Sequence, residues 1–143
     1  MMTMTEKFKI LTQFIKDMSS ETPDVETHLF VKNKISKYQL FIDITSKPLK
    51  NKMIEIDTTL KFNDKELSEK KSNFEIVYTT IVKLSDEIET KKDLEKIILC
   101  DVQNEIFPNL KKTFLNLLHD SGYTEVKLEK KIDFEKLYSD KLS

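Results

Sequence analysis

The sequence predicts a single α+β domain over residues 1–143, with a four-stranded antiparallel sheet and helices packed on one of its faces. The first half of the chain contains four segments in which apolar and polar residues alternate, as they do in half-buried strands. From about Asp93 the apolar residues recur every three or four positions, which is typical of amphipathic helices. Strands followed by helices favour the α+β class. We expect residues 1–7 to form a disordered tail.

The first strand is expected to include Phe14 and Met18 and to end before Pro23. Side chains alternate between the two faces of a strand, so the acids separate from most of the apolar residues. The apolar face would contain Phe8, Ile10, Phe14 and Met18, and the opposite face Lys9, Gln13, Asp17, Ser19 and Glu21. Leu11 and Ile15 interrupt this second face, which is therefore not purely polar.

The next two strands are predicted to form an antiparallel hairpin. Apolar residues alternate with polar ones from Tyr38 to Ile44, and Pro48 ends this strand. The same alternation runs from Ile54 to Phe62. The short turn over residues 47–52 favours pairing of these neighbours.

The fourth strand, from Phe74 to Val82, has apolar residues on both faces. Val77 and Ile81 break its polar face, which indicates that it is covered on both sides or lies at a subunit contact. One long helix and one short helix cannot cover both faces of a four-stranded sheet. Self-association is therefore expected, because large exposed apolar patches are uncommon on soluble monomers.

The helical half is predicted to contain one long helix and one short helix. Pro108 lies inside the long helix and lacks an amide donor, so we expect a kink or a break there. Gly122, the only glycine, stands where a helix ends in a left-handed residue. Asp133 is expected to cap the short final helix, which has Phe134 and Leu137 on its apolar side.

The composition excludes several functional classes. All 24 basic residues are lysines, they are interspersed with 25 acids, and no basic stripe for nucleic acid is formed. A single glycine cannot supply the loops that bind nucleotide phosphates. His28, His119 and Cys100 do not have zinc-ligand spacing, and Cys100 is expected to be a small buried residue. We therefore expect no catalytic residue, no metal and no cofactor, and we do not expect an enzyme.

The apolar runs are too short for a signal peptide or a membrane span, the longest being Ile97–Cys100. A lone cysteine cannot form an internal disulfide and is compatible with a reducing compartment. These features predict a cytoplasmic protein with no direct membrane insertion.

Two apolar segments have no obvious place in the sheet or the long helix. The link over residues 23–37 contains Leu29, Phe30, Val31 and Ile35, and the final helix contains Phe134, Leu137 and Tyr138. If these segments lie together, they form a groove for an extended apolar polypeptide. The alternative is that they fold back and complete the core.

Taken in order and spacing, these segments resemble the SecB family of protein-export chaperones. The resemblance covers nearly the whole chain and rests on Phe14 to Pro23, His28-Leu29-Phe30, Leu40, Ile42, Ile106-Phe107-Pro108, Gly122 and Asp133 to Tyr138. It implies an ATP-independent holdase that binds unfolded secretory precursors and passes them to the SecA ATPase. It also implies a homotetramer built as a dimer of dimers.

The resemblance further implies roles for individual residues. Unfolded peptide would bind at Phe30, Leu40, Ile42, Phe134, Leu137 and Tyr138. SecA would dock on acids of the sheet at Asp17, Glu21 and Glu75.

The chain departs from the family pattern in four ways. On the fourth strand, Glu75 and Val77 are rearranged relative to the family's apolar and acidic residues. Its net charge of −1 is near neutral, whereas family members are usually strongly acidic. Lys34 stands where the family link has an aromatic residue, so a shallower groove is expected. No long tail follows the final helix, so SecA docking is expected to depend on the sheet alone or to be weak.

Two alternatives stay open. One is a SecB-like chaperone of a toxin-antitoxin system, with the same fold and a different client. The other is a small α+β ligand-binding domain or enzyme that uses a pocket between the sheet and a helix.

Overall fold

The computed structural model describes residues 7–64, 70–88 and 90–142, and it has one four-stranded antiparallel sheet, as predicted. The strands are β1 (Phe8–Glu21), β2 (Gln39–Pro48), β3 (Met53–Asn63) and β4 (Asn73–Leu84). The helices are α1 (Val25–Lys34), α2 (Lys91–Lys96), α3 (Val102–Asp120) and α4 (Phe134–Leu142). A 3-10 turn (Ile35–Lys37) follows α1, and a π-helical turn (Ile97–Asp101) joins α2 to α3. The expected tail lies outside the described residues except for Lys7, whose carbonyl accepts a hydrogen bond from the amide of Ser85.

The strands lie in the order β1-β4-β3-β2, and every neighbouring pair is antiparallel. The predicted hairpin is confirmed, because β2 ends at Pro48 and pairs along its length with β3. Its turn contains two residues with positive φ, Asn51 and Lys52. Since β4 lies inside the sheet, its neighbours half-bury Val77 and Ile81 on both sides.

The core lies between the sheet and α3. Thr58 of β3 donates a hydrogen bond to Gln103 of α3, which identifies the even-numbered side chains of β3 and β4 as the inner face. The opposite face is called the outer face below. The sheet contributes Ile54, Ile56, Leu60, Phe62, Phe74, Ile76, Tyr78 and Val82 to the core, and α3 contributes Val102, Ile106, Leu110, Phe114 and Leu118. Each large aliphatic side chain buried here stabilises the fold by about 1.5–3 kcal/mol relative to exposure.

The face predicted for the middle of β1 is wrong, because β1 contains two bulges. The register with β4 shifts at Leu11 and again at Lys16, so each adds one residue that has no partner opposite. An odd insertion moves the following side chains to the other face. Phe14 therefore lies opposite Thr79 on the outer face, and Ile15 lies opposite Tyr78 on the inner face. Beyond the second bulge the predicted alternation returns.

The link between β1 and β2 contains a helix that the sequence pattern did not reveal. Asp24 caps α1 by accepting a hydrogen bond from the amide of Thr27 at 2.7 Å. Val31 is buried, whereas Val25 and Leu29 are exposed. The apolar residues of α1 surround the helix and do not form one stripe, so their spacing showed no helical period.

Of the kink or break expected at Pro108, the break does not occur, since α3 continues through this residue. Pro108 removes the amide partner of the Asn104 carbonyl, but both residues are exposed, so water can reach that carbonyl. The irregular turn lies upstream, at Ile97–Asp101. Helix α3 ends as predicted at Gly122, which has φ +100 and whose amide bonds to the carbonyl of His119.

Candidate functional site

A shallow apolar pocket of about 310 Å³ lies between β2, α4 and the π-helical turn. We call it the α4–β2 groove, and its lining residues are Ile42, Asp43, Ile44, Leu99, Leu137 and Asp140. Four of these six side chains are aliphatic, and each of the three elements contributes at least one. The groove can therefore bind apolar side chains, and its two carboxylates can contact polar or basic groups next to them.

The structure brings two of the predicted peptide-binding residues directly into this groove. Ile42 lies on β2, and Leu137 faces it from α4 with 40% of its side chain exposed. Leu40 is two residues before Ile42 on the same face of β2 and is half-buried. These three positions fit an open apolar surface.

Phe134 is on the same helix but in a different environment. It is only 3% exposed, and its ring meets that of Phe107 edge to face, with centroids 5.3 Å apart. Asp133 begins the helix as predicted, by accepting a hydrogen bond from the amide of Lys136 at 3.1 Å. Phe134 thus anchors α4 on α3, and its contact with peptide stays a prediction.

The other two predicted peptide-binding residues do not line the groove. The Tyr138 hydroxyl donates to the carbonyl of Lys92 at 3.3 Å, which ties α4 to α2. Phe30 is half-buried on α1 and packs against the core, with the ammonium of Lys34 4.8 Å from its ring centroid. Lys34 therefore covers an aromatic ring with a cation.

Sequence reasoning missed Leu99 and Ile44 as lining residues. Ile44 continues the alternation of Leu40 and Ile42, so the period of two could have identified it. Leu99 belongs to the short apolar run Ile97–Cys100, but its direction depends on the π-helical turn. An α-helical pattern gives no indication of that direction.

Strand β2 forms one edge of the sheet and runs along the groove. The main-chain groups of an edge strand can pair with an extended peptide, whose alternate side chains then reach the same face. An apolar groove beside a strand edge is suited to an extended segment.

The three acids predicted to dock a partner share the outer face. Asp17 lies opposite Val77, Glu21 lies opposite Asn73, and Glu75 lies between them on β4 opposite Ser19. Asp17 and Glu21 are exposed, whereas Glu75 is half-buried and forms an ion pair with Lys61 at 3.5 Å. The bulge at Lys16 lies before Asp17 and Glu21 in β1, so it does not change the register between these two acids and Glu75 of β4.

Lys16 neutralises part of the outer face. Its ammonium lies 3.3 Å from Asp57 and 3.5 Å from Glu55, both on β3. The hydrogen bond to Asp57 and the two negative charges raise the pKa of Lys16. Partial burial acts to raise the pKa of Asp57, but hydrogen bonds, led by the one from Thr79 at 2.7 Å, lower its pKa overall.

Strand β1 exposes apolar side chains on both faces. Ile15 and Met18 lie on the inner face and are 43% and 44% exposed, so the helices leave them largely uncovered. Phe14 is 49% exposed on the outer face. This edge is therefore a second candidate contact surface.

No cluster of three or more His, Cys, Asp or Glu side chains in residues 7–64, 70–88 and 90–142 is arranged to hold a metal ion. None of the helices in these ranges has the length and apolar character needed to cross a membrane.

Comparison with known proteins gives consistent matches over nearly the whole chain. The family model for SecB, the preprotein translocase subunit, matches residues 2–143. A putative protein-export protein SecB from Pelagibacter ubique is 59% identical over 135 residues, which cover 94% of this chain and 96% of that protein. A protein-export protein SecB from Bradyrhizobium is 23% identical over 132 residues, covering 92% and 80% respectively.

A SecB-like chaperone is among the solved structures with a similar fold. It is the SecB-like chaperone Rv1957 of Mycobacterium tuberculosis, in complex with a ChAD peptide from the Rv1956 HigA1 antitoxin. The TM-score is 0.61 at 9% identity, and the match covers 87% of this chain and 91% of that one. At this identity the likeness concerns the fold alone.

Proposed function

The chain belongs to the SecB family of protein-export chaperones, and we propose on this basis that it is an ATP-independent holdase of the cytoplasm. It binds unfolded secretory precursor proteins and delivers them to the SecA ATPase. The observation that supports binding most directly is the α4–β2 groove, where exposed Leu137 faces Ile42 beside a sheet edge. No catalytic residue and no cofactor enter this proposal.

The groove supports binding of an unfolded segment better than binding of a small molecule. It is half-open to solvent, and its lining contains only two ionisable side chains, Asp43 and Asp140. Burial of apolar side chains of the client in the groove supplies a driving force that needs no particular sequence. Pairing with the edge of β2 would add main-chain hydrogen bonds, which are also independent of sequence.

The test compares two neighbouring positions of α4. Leu137→Ser removes an aliphatic side chain from the groove, whereas Lys136→Ser removes an exposed side chain that does not line it. Capture of an unfolded precursor is measured with and without ATP. We expect weaker capture for Leu137→Ser, unchanged capture for Lys136→Ser and no effect of nucleotide. Equal affinities of the two variants would contradict the assignment of this groove.

Assembly as a homotetramer, a dimer of dimers, is part of the proposal. The exposed apolar residues of β1, including Ile15 and Met18, would be covered by a second copy of the chain. Light scattering at micromolar concentration should give about four times the chain mass of 16.9 kDa. A stable monomer would contradict this assembly.

SecA is proposed to dock on the outer face through Asp17, Glu21 and Glu75. Two of these acids are exposed, and a basic partner surface would gain encounter rate and specificity from them. Lys16 already neutralises Glu55 and Asp57. The three docking acids would therefore account for most of the attraction between the outer face and a basic surface of SecA.

A toxin-antitoxin client is the second candidate. It is motivated by the fold likeness to the SecB-like chaperone that binds an antitoxin peptide. The 59% identity to a protein-export SecB favours export. Selective, tight binding of one antitoxin peptide together with weak binding of several unfolded precursors would favour the second candidate.

A further inference from the structure

The π-helical turn Ile97–Asp101 changes which side chains face the groove. The amide of Val102 donates to the carbonyl of Ile97, five residues earlier, so the turn contains one residue more than an α-helical turn. Each residue of an α-helix advances by about 100°, so Ile97 and Val102, which are five residues apart, would lie about 140° apart if the turn were a regular α-helix. Both side chains are instead fully buried against the sheet.

Gln103 supplies the hydrogen bonds that this turn needs. Its side-chain amide donates to the carbonyl of Ile98 at 3.3 Å, and its side-chain oxygen accepts a bond from the Thr58 hydroxyl at 3.1 Å. In an α-helix the Ile98 carbonyl would accept from Val102, whose amide here donates to Ile97. Gln103 and Thr58 are both fully buried, so these bonds have no competition from water.

Two walls of the α4–β2 groove depend on the same turn. Leu99 lies within it and lines the groove together with Ile44 and Leu137. Helix α4 packs directly on the turn. Cys100, the next residue, is buried and accepts a weak hydrogen bond from Asn104. A return to α-helical geometry would rotate Leu99 and Cys100 away from these positions.

We infer that Gln103 is a positioning residue of the peptide groove, acting through the Ile98 carbonyl and the π-helical turn to place Leu99 on the groove wall. The inference rests on the proposed function, in which this groove binds unfolded polypeptide. Gln103 itself is fully buried and does not line the groove. Its effect on binding must therefore depend on Leu99.

The experiment uses a matched pair of substitutions on the sheet. Thr58→Val and Thr80→Val make the same change at two fully buried inner-face positions. Thr58 bonds to Gln103, whereas the Thr80 hydroxyl has no hydrogen-bond partner among the described residues. We expect Thr58→Val to weaken capture of an unfolded precursor about threefold to tenfold and Thr80→Val to leave it unchanged. Equal effects of the two variants would overturn the inference.

A double-mutant cycle then tests whether Gln103 acts through Leu99. Gln103→Leu and Leu99→Ala should each weaken capture of an unfolded precursor. The double variant should capture it about as well as the single variant that has the lower affinity. Multiplicative losses would overturn the inference while leaving the groove assignment intact. If Leu99→Ala and Leu137→Ser both leave capture unchanged, the groove assignment itself is overturned. Thr58→Val keeps the test decisive if Gln103→Leu does not fold.

The lone thiol provides a readout of the turn that is independent of client binding. Cys100 should react slowly with a thiol reagent in the unaltered protein, because it is buried. The rate should rise severalfold in Thr58→Val without denaturant, where the fold stays intact, and it should not rise in Thr80→Val. An unchanged thiol rate in Thr58→Val and Gln103→Leu would show that the turn does not depend on these bonds.

Discussion

Substitution of Phe134 and of Leu137 should separate anchoring of α4 from binding of a client. Phe134 is nearly fully buried against Phe107, so its truncation to Ser should weaken the docking of α4 by about 3–5 kcal/mol, as for buried phenylalanines elsewhere. Leu137 is 40% exposed, so its truncation should cost the stability of the helix no more than about 1–2 kcal/mol.

The same exposed fraction sets the expected effect of Leu137 on binding. If a client buries the part of Leu137 that is free, the contribution is about 0.6–1.2 kcal/mol, which corresponds to a threefold to eightfold change in Kd. Phe134→Ser should weaken capture at least as much, because it displaces the helix that forms one wall of the groove.

Two measurements decide between these roles. Urea unfolding, with limited proteolysis near α4, reports docking of the helix, and titration with an unfolded precursor reports binding. We expect Leu137→Ser to weaken binding with a smaller loss of stability than Phe134→Ser, and Phe134→Ser to loosen α4 and weaken binding. The reasoning would be refuted if Leu137→Ser loosened α4 as much as Phe134→Ser, or if it left the Kd unchanged while α4 stayed docked.

Three further predictions concern the outer face and the end of α3. The double substitution Asp17→Lys and Glu21→Lys should reduce SecA binding in calorimetry, and the reduction should shrink as the salt concentration rises. Client binding and oligomeric state should stay unchanged. Equal loss of SecA binding and client binding would mean that the two acids hold the fold. Gly122→Ala should destabilise the protein by about 2 kcal/mol in urea unfolding, because φ is +100 and the new Cβ would lie 2.6 Å from the His28 ring. Adding His28→Ala should recover part of the lost stability. If no stability is recovered, the whole cost comes from the positive φ. Since the pKa of Asp57 is lowered in the folded state, its contribution to stability is present above the ordinary value of 3.8 and is lost as pH falls through the folded-state pKa. The stability difference between the unaltered protein and Asp57→Asn should therefore shrink below about pH 4 in unfolding curves measured at several pH values, and a difference constant with pH would contradict this linkage.

Local patterns in the sequence were sufficient for the strands, the hairpin and the helix ends. A period of two reports which residues of β2, β3 and β4 face the core, because pleating alternates side chains whatever the neighbours are. Asp133 and Gly122 act within a few residues of their own positions, so their capping roles could be recognised from the sequence alone. The order of these segments also indicated the family.

The groove could not be predicted from local patterns, because it depends on contacts between distant parts of the chain. Phe134 and Leu137 lie one helical turn apart and look alike in sequence, but only packing against Phe107 decides which is buried. The direction of Leu99 follows from the π-helical turn, which depends on a bond between Gln103 and a strand 45 residues earlier in the chain.

The faces of β1 were likewise decided by tertiary structure. A bulge is a property of two paired strands, so the extra residues at Leu11 and Lys16 exist only relative to β4. The sequence by itself determined that β1 is a strand with acids and apolar residues in alternation. Pairing with β4 placed Phe14 outside and Ile15 inside, because each inserted residue reverses the face of the side chains that follow.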